Sequence, residues 1–241
     1  MNKQPWIPSG RSGFSLLEVL ACVAIVSALT ACLVAASGLG VMAANRAKCA
    51  SNLRQIGLAT TLYTADHGGY LPPTTHSSGS QWESAWIHAL APYLENLHAV
   101  RICPADPQRA ARIKGGGTSY ILNNIVCDPQ YGPFGEPLQS FNQVLRLPHP
   151  SRVFLAGIIA ESRRGAGVQN DHTHAEAWDA GWTAFTADIE ANRHRTGASN
   201  ATRTNGSANY LFVDGHVETI SAAEMKSRFD RGENLARPPQ S

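Results

Sequence analysis

From Val19 to Ala44 the chain carries no charged residue, a run of 26 positions. About 20 apolar residues are enough to cross a bilayer as a helix. A helix without a polar face cannot lie on the surface of an ordinary globular fold, so this run belongs in lipid or among other helices. Lys3 and Arg11 precede it and Arg46 and Lys48 follow it, so the basic flanks alone fix no orientation. Directly before the run stands Glu18. An acid within a membrane helix costs roughly 2.5–3.5 kcal/mol even on the lenient insertion scale, and it calls for a positive partner. A cut after Gly13 would supply one, because the new ammonium on Phe14 lies about one helical turn from Glu18.

Composition agrees with a chain that is only partly a solvated fold. Hydrophobic residues make up 43% and charged residues 16%, below the usual quarter. The net charge of +2 offers no electrostatic case for nucleic acid. Without Lys3 and Arg11, 18 basic residues face 18 acidic ones. Of five cysteines, Cys22 and Cys32 lie in the apolar run, and Cys49, Cys103 and Cys127 follow it. There is no C-x-x-C, so the spacing supports neither a tetrahedral zinc site nor a thioredoxin-like motif.

Beyond the run, Leu53, Ile56, Ala59 or Thr60, and Tyr63 form an apolar stripe at helical spacing, with Arg54, Gln55 and Asp66 off it. Gly68-Gly69 and Pro72-Pro73 end this helix. The spacing predicts one helix from about 14 to 67, on the order of 80 Å long at 1.5 Å per residue. Trp82, Trp86, Leu90, Tyr93 and Leu94 predict a short helix within 81–94 that donates aromatics to a core. Residues 118–122 and 152–159 read as strands. Residues 161–207 read as a long loop. Residues 208–213 and 216–220 flank Asp214-Gly215, the preferred pair for a two-residue type I′ hairpin turn. A helix over 221–229 and a disordered tail over 230–241 follow.

Gly13-Phe14-Ser15-Leu16-Leu17-Glu18 resembles the type III signal sequence of prepilins. The resemblance implies cleavage after Gly13 by a membrane prepilin peptidase and N-methylation of Phe14. It also implies a role for Glu18 in setting subunit register. The expected fold is α+β and pilin-like: a long N-terminal helix, half membrane and half amphipathic, packed on a small antiparallel sheet. The expected organisation is a cytoplasmic leader over 1–13, a transmembrane part over 14–44, a globular domain over 45–229 in the periplasm or envelope, and the tail. Leu29-Thr30-Ala31-Cys32 also fits a lipoprotein box, but the apolar run continues for twelve residues past Cys32.

Further pieces resemble one pilin-like subfamily, the H-X9-DG (DUF1559-like) proteins. They are Cys49-x-x-Asn52-Leu53-Arg54-Gln55-Ile56-Gly57, the stretch from Tyr63 to Pro73, Cys103-Pro104-x-Asp106, Ser119-Tyr120, and residues 209–217 with Asp214-Gly215. Cys49 and Cys103 fall in two of these pieces, and the resemblance implies a disulfide between them, with Cys127 left over. Thr204 stands where the signature has histidine, and His194 is its displaced equivalent if the loop carries an insertion.

The chain contains no G-x-S-x-G, P-loop, H-E-x-x-H or G-x-G-x-x-G motif, and no enzyme activity is expected. His172 and His174 would share one face of a strand and are the weak candidates for a divalent ion. Asp188 and Asp214 offer oxygen ligands to calcium but lack a spaced acidic loop. No cofactor is therefore expected. Two functions remain: a structural subunit of a type II secretion or pilus-like assembly, or a membrane-anchored module that displays 161–207. The expected partners are the prepilin peptidase, other pilin-like subunits and an inner-membrane assembly platform.

Overall fold

The computed structural model describes residues 15–78, 85–163, 167, 170–194 and 203–239, apart from the side chains of 31–37 and 39. It divides into two units, Met1–Val41 and Met42–Ser241. Helix α1 covers Leu16–Asp66. It ends where expected, with Gly68 and Gly69 at φ 62° and 84° and the Gly69 N–H donating to the Thr64 carbonyl at 2.7 Å. These are left-handed backbone conformations that glycine adopts without penalty. Among the described residues no helix is long and apolar enough to cross a membrane. Positions 31–37 and 39, inside the uncharged run, are among the side chains not described.

The second unit is an α+β fold around a four-stranded antiparallel sheet in the order β1-β2-β3-β4. The strands are β1 Tyr120–Leu122, β2 Phe154–Ile158, β3 Ser207–Phe212 and β4 Val217–Ser221. The α1 stripe packs on one face, with Cys49, Leu53, Ile56, Ala59 and Thr60 buried and Arg54 and Asp66 exposed. Asn209 of β3 donates to the Arg46 carbonyl at 2.9 Å and so pins the sheet to the helix. Gly57 permits close approach, because a Cβ there would stand 2.9 Å from Leu211 Cδ1 and 3.2 Å from the Gly215 carbonyl. Aromatic residues cover the opposite face. Phe154 of the sheet meets Tyr210 and Trp178, and Trp178, Phe185 and Phe229 meet one another in edge-on or tilted contacts, at centroid distances of 4.6 to 6.3 Å.

The hairpin β3–β4 forms with a different turn from the one expected. Gly215 N–H donates to the Phe212 carbonyl at 2.9 Å, and Phe212 N–H donates to the His216 carbonyl at 3.0 Å. Only Gly215 of the loop has positive φ, at 90°. This is a three-residue loop closed by a glycine bulge rather than type I′, which needs positive φ at both central residues. Asp214 accepts from the backbone N–H of His216 at 3.1 Å and from its Nδ1 at 2.6 Å, locking the loop.

Two segments hold more structure than the sequence suggested. Within 161–207 lie a 3₁₀ turn at Ala175–Ala180 and a helix at Trp182–Asp188, which carry Trp178 and Phe185 into the core. After the helix Ala222–Asp230 the chain stays packed rather than loose. Leu235 accepts from the Phe154 N–H at 2.8 Å, Ala236 accepts from Asn123 Nδ2 at 2.8 Å, and Ala236 is fully buried. Trp86 and Leu90 enter the core as expected, in a single turn Trp86–Ala89, while Trp82 lies outside the described residues.

Candidate functional site

Gly13 and Phe14, the expected processing site, lie outside the described residues. Glu18 is described, and it is not alone. Its carboxylate accepts from the Ser15 N–H at 2.8 Å, and its own N–H donates to Ser15 Oγ at 3.3 Å. This reciprocal pair is a capping box, legible in the sequence as Ser-x-x-Glu before an apolar run. A reading from charge alone overlooked it. The acid therefore has a local role, satisfying a free helix N–H, before any cleavage supplies an ammonium.

Among the described residues of the first unit the large apolar side chains from Leu16 to Leu29 are exposed, Leu16, Leu17, Leu20, Ile25, Val26 and Leu29 among them. At about 100° per residue, Leu16, Leu17, Ile25 and Val26 point to four different sides of the helix. Ser27 Oγ donates to the Val23 carbonyl and Thr30 Oγ1 to the Val26 carbonyl, both at 2.7 Å. Both hydroxyls are thereby satisfied by carbonyls of their own helix, with no outside partner needed.

In the second unit several sequence pieces, distant along the chain, converge between α1 and the sheet. Asn52 Nδ2 donates to the Ile102 carbonyl at 2.9 Å, tying α1 to the segment that carries Cys103. Asp106 accepts from Ser119 Oγ at 2.6 Å and from Arg112 Nε at 2.7 Å. Ser119 leads into β1, where Tyr120 donates its hydroxyl to Cys49 Sγ at 3.5 Å. Burial, reinforced by Cys49, pushes the Tyr120 hydroxyl well above its ordinary pKa and keeps it a donor.

Cys49 and Cys103 meet here as two free, buried thiols. His194 completes the group: its ring nitrogen and the two sulfurs all lie within 4.8 Å of one another. The hydrogen bond from Cys103 draws the Cys49 thiol well below its ordinary value, with His194 acting in the same direction against burial. Cys103 moves upward because of that same bond and because of burial.

The segment before His194 is held to the end of β2, with Glu190 N–H donating to the Ile158 carbonyl at 2.8 Å. His194 N–H donates to the Ser207 carbonyl at 2.9 Å, across twelve intervening residues. Sequence reading noted this histidine only as a displaced counterpart of Thr204. The structure buries His194 in the core and leaves Thr204 half-buried at the approach to β3.

The other candidates are held by different groups. His172 Nδ1 bonds Asp171 at 2.8 Å, and Asp171 also accepts from Thr75 Oγ1 at 2.7 Å. His174 is largely exposed, and its Nδ1 sits 3.3 Å from Arg163 Nη2. Their rings lie 5.2 Å apart, but among the described residues only Cys49, Cys103 and His194 form a group of three metal-ligating side chains. Asp188 is engaged by Trp178 Nε1 at 2.9 Å, by the His174 N–H at 2.7 Å and by Arg163 at 3.2 Å. Asp214 serves the hairpin loop, so the two acids share no oxygen cage.

A family described as a protein of unknown function, DUF1559, is similar to this chain over residues 42–100. The match takes in the α1 stripe from Cys49 to Tyr63 and stops just before Cys103. No curated protein and no solved structure matches the chain.

Proposed function

We propose that the chain is a structural, pilin-like (pseudopilin) subunit of a type II secretion or type IV pilus-like assembly. A prepilin peptidase cuts it after Gly13 and methylates Phe14. Its N-terminal helix then sits in the inner membrane and passes laterally into the assembly, with the second unit in the periplasm or envelope. Its work is mechanical rather than catalytic, and its partners are other pilin-like subunits and an inner-membrane platform.

The observation that carries this reading is the apolar circumference of the first unit. Large side chains are exposed on every side from Leu16 to Leu29, and Ser27 and Thr30 are turned back onto the backbone. A helix of this kind gains nothing in water and requires lipid or neighbouring helices. Glu18 then does two things: it caps the helix, and it offers a negative charge at its start for the Phe14 ammonium of the same or a neighbouring subunit.

Photo-cross-linking in the native host separates a subunit from a display module. A photoreactive residue at Leu20 or Ile25 is expected to trap a second copy of this chain or another pilin-like protein. Adducts to lipid alone would contradict assembly and leave the helix as an anchor for display.

A further inference from the structure

We propose that Cys49, Cys103 and His194 are the three protein ligands of one soft d10 metal ion, zinc(II) or copper(I), held between α1 and the sheet. The proposal is independent of whether the chain assembles. The three ligand atoms lie within 4.8 Å of one another. Metal bonds of about 2.3 Å to sulfur and about 2.0–2.1 Å to nitrogen would bring them to roughly 3.5–3.8 Å apart, a change within reach of side-chain rotation.

The imidazole decides between a metal and a plain pair of thiols. His194 is 8% exposed, and among the described residues neither its Nδ1 nor its Nε2 has a hydrogen-bond partner of ordinary length. A buried ring nitrogen with nothing to bond is destabilising, and native cores rarely retain one without a reason. A disulfide between Cys49 and Cys103 would leave that nitrogen unmet. A metal ion accepts its lone pair directly. Asn192, two residues earlier and 1% exposed, likewise has both side-chain polar atoms unpartnered, as does Asn52 Oδ1. Tyr120, donating to Cys49 Sγ, already acts as the kind of second-shell donor that orients a thiolate ligand.

The donor set selects the ion. Two sulfurs and one imidazole suit zinc(II) or copper(I) and exclude magnesium and calcium, which require oxygen. Binding forms two metal–sulfur bonds and one metal–nitrogen bond, and the two thiol protons leave to solvent. The absence of C-x-x-C concealed the site, because its ligands come from three segments far apart in the chain.

The test uses the full chain, reduced and anaerobic in detergent, titrated separately with zinc(II) and copper(I) against competing chelators. One equivalent of either ion per chain is expected, and the tighter of the two names the metal. His194→Leu is expected to weaken binding at least about 100-fold, beyond the range of second-shell losses. Its metal-free thermal midpoint should be equal to or above the original, since it removes an unpartnered imidazole. That variant keeps the test meaningful if Cys49→Ser fails to fold. Three results would overturn the proposal: no stoichiometric binding of either ion, His194→Leu binding as tightly as the original, or a Cys49–Cys103 disulfide trapped in protein taken directly from its host.

Discussion

Replacing Asp106 by alanine is expected to destabilise the second unit by about 3–5 kcal/mol, the usual consequence of removing one partner from a buried ion pair. Asp106 and Arg112 bond at 2.7 Å with side chains 0% and 1% exposed. The same carboxylate accepts from Ser119 Oγ at 2.6 Å and from the Gln108 N–H at 2.8 Å. It therefore joins a turn, the helix Arg109–Lys114 and the entrance to β1. Alanine removes the carboxylate to which the buried Arg112 Nε–H donates. Adding Arg112→Met to the variant removes the guanidinium as well, and most of the loss should be recovered. Thermal unfolding of the full chain in detergent reads both effects. A loss under about 1 kcal/mol for Asp106→Ala would mean that water reaches the pair.

Glu18 carries the second large effect, because the proposed function adds a pairing role to the cap this carboxylate forms. Glutamine can replace glutamate in a capping box, since its amide oxygen still accepts from the Ser15 N–H. It cannot neutralise an ammonium. If Glu18 pairs with the Phe14 terminus of the same or a neighbouring subunit, Glu18→Gln should abolish assembly as fully as Glu18→Leu, while both variants remain in the membrane. If the acid only caps the helix, Glu18→Gln should assemble normally and Glu18→Leu should lose a cap worth about 0.5–2 kcal/mol. Quantifying each variant in sheared or cross-linked assemblies gives the comparison. The pairing role predicts that glutamine and leucine behave alike.

Much of the second unit was legible because its signals are periodic. The stripe from Leu53 to Tyr63 marked the buried face of α1, and Gly68-Gly69 marked its end. Residues 152–159 and 208–220 announced β2 and the hairpin by their apolar runs. Elements anchored by single contacts gave no such pattern. The helix Trp182–Asp188 is only about two turns long, and of its own large hydrophobic side chains Phe185 alone is fully buried. Ala236 is buried where its carbonyl accepts from the Asn123 side-chain amide, which no local composition reveals. His194 is a single histidine in a polar stretch, and its meaning appears only when Cys49 and Cys103 arrive beside it. The Ser15–Glu18 cap is written in the sequence as Ser-x-x-Glu, although the same acid also stands at the edge of an uncharged run.

In the proposed function, processing at the N-terminus is the step on which membrane release, the Phe14 ammonium and the pairing of Glu18 would all depend. The intact mass of the protein taken from the membranes of its own host measures it directly. The expected mass is that of a chain starting at Phe14 and carrying one added methyl group. A mass corresponding to Met1 with all thirteen leader residues retained, or to a lipidated chain starting at Cys32, would contradict the proposed function.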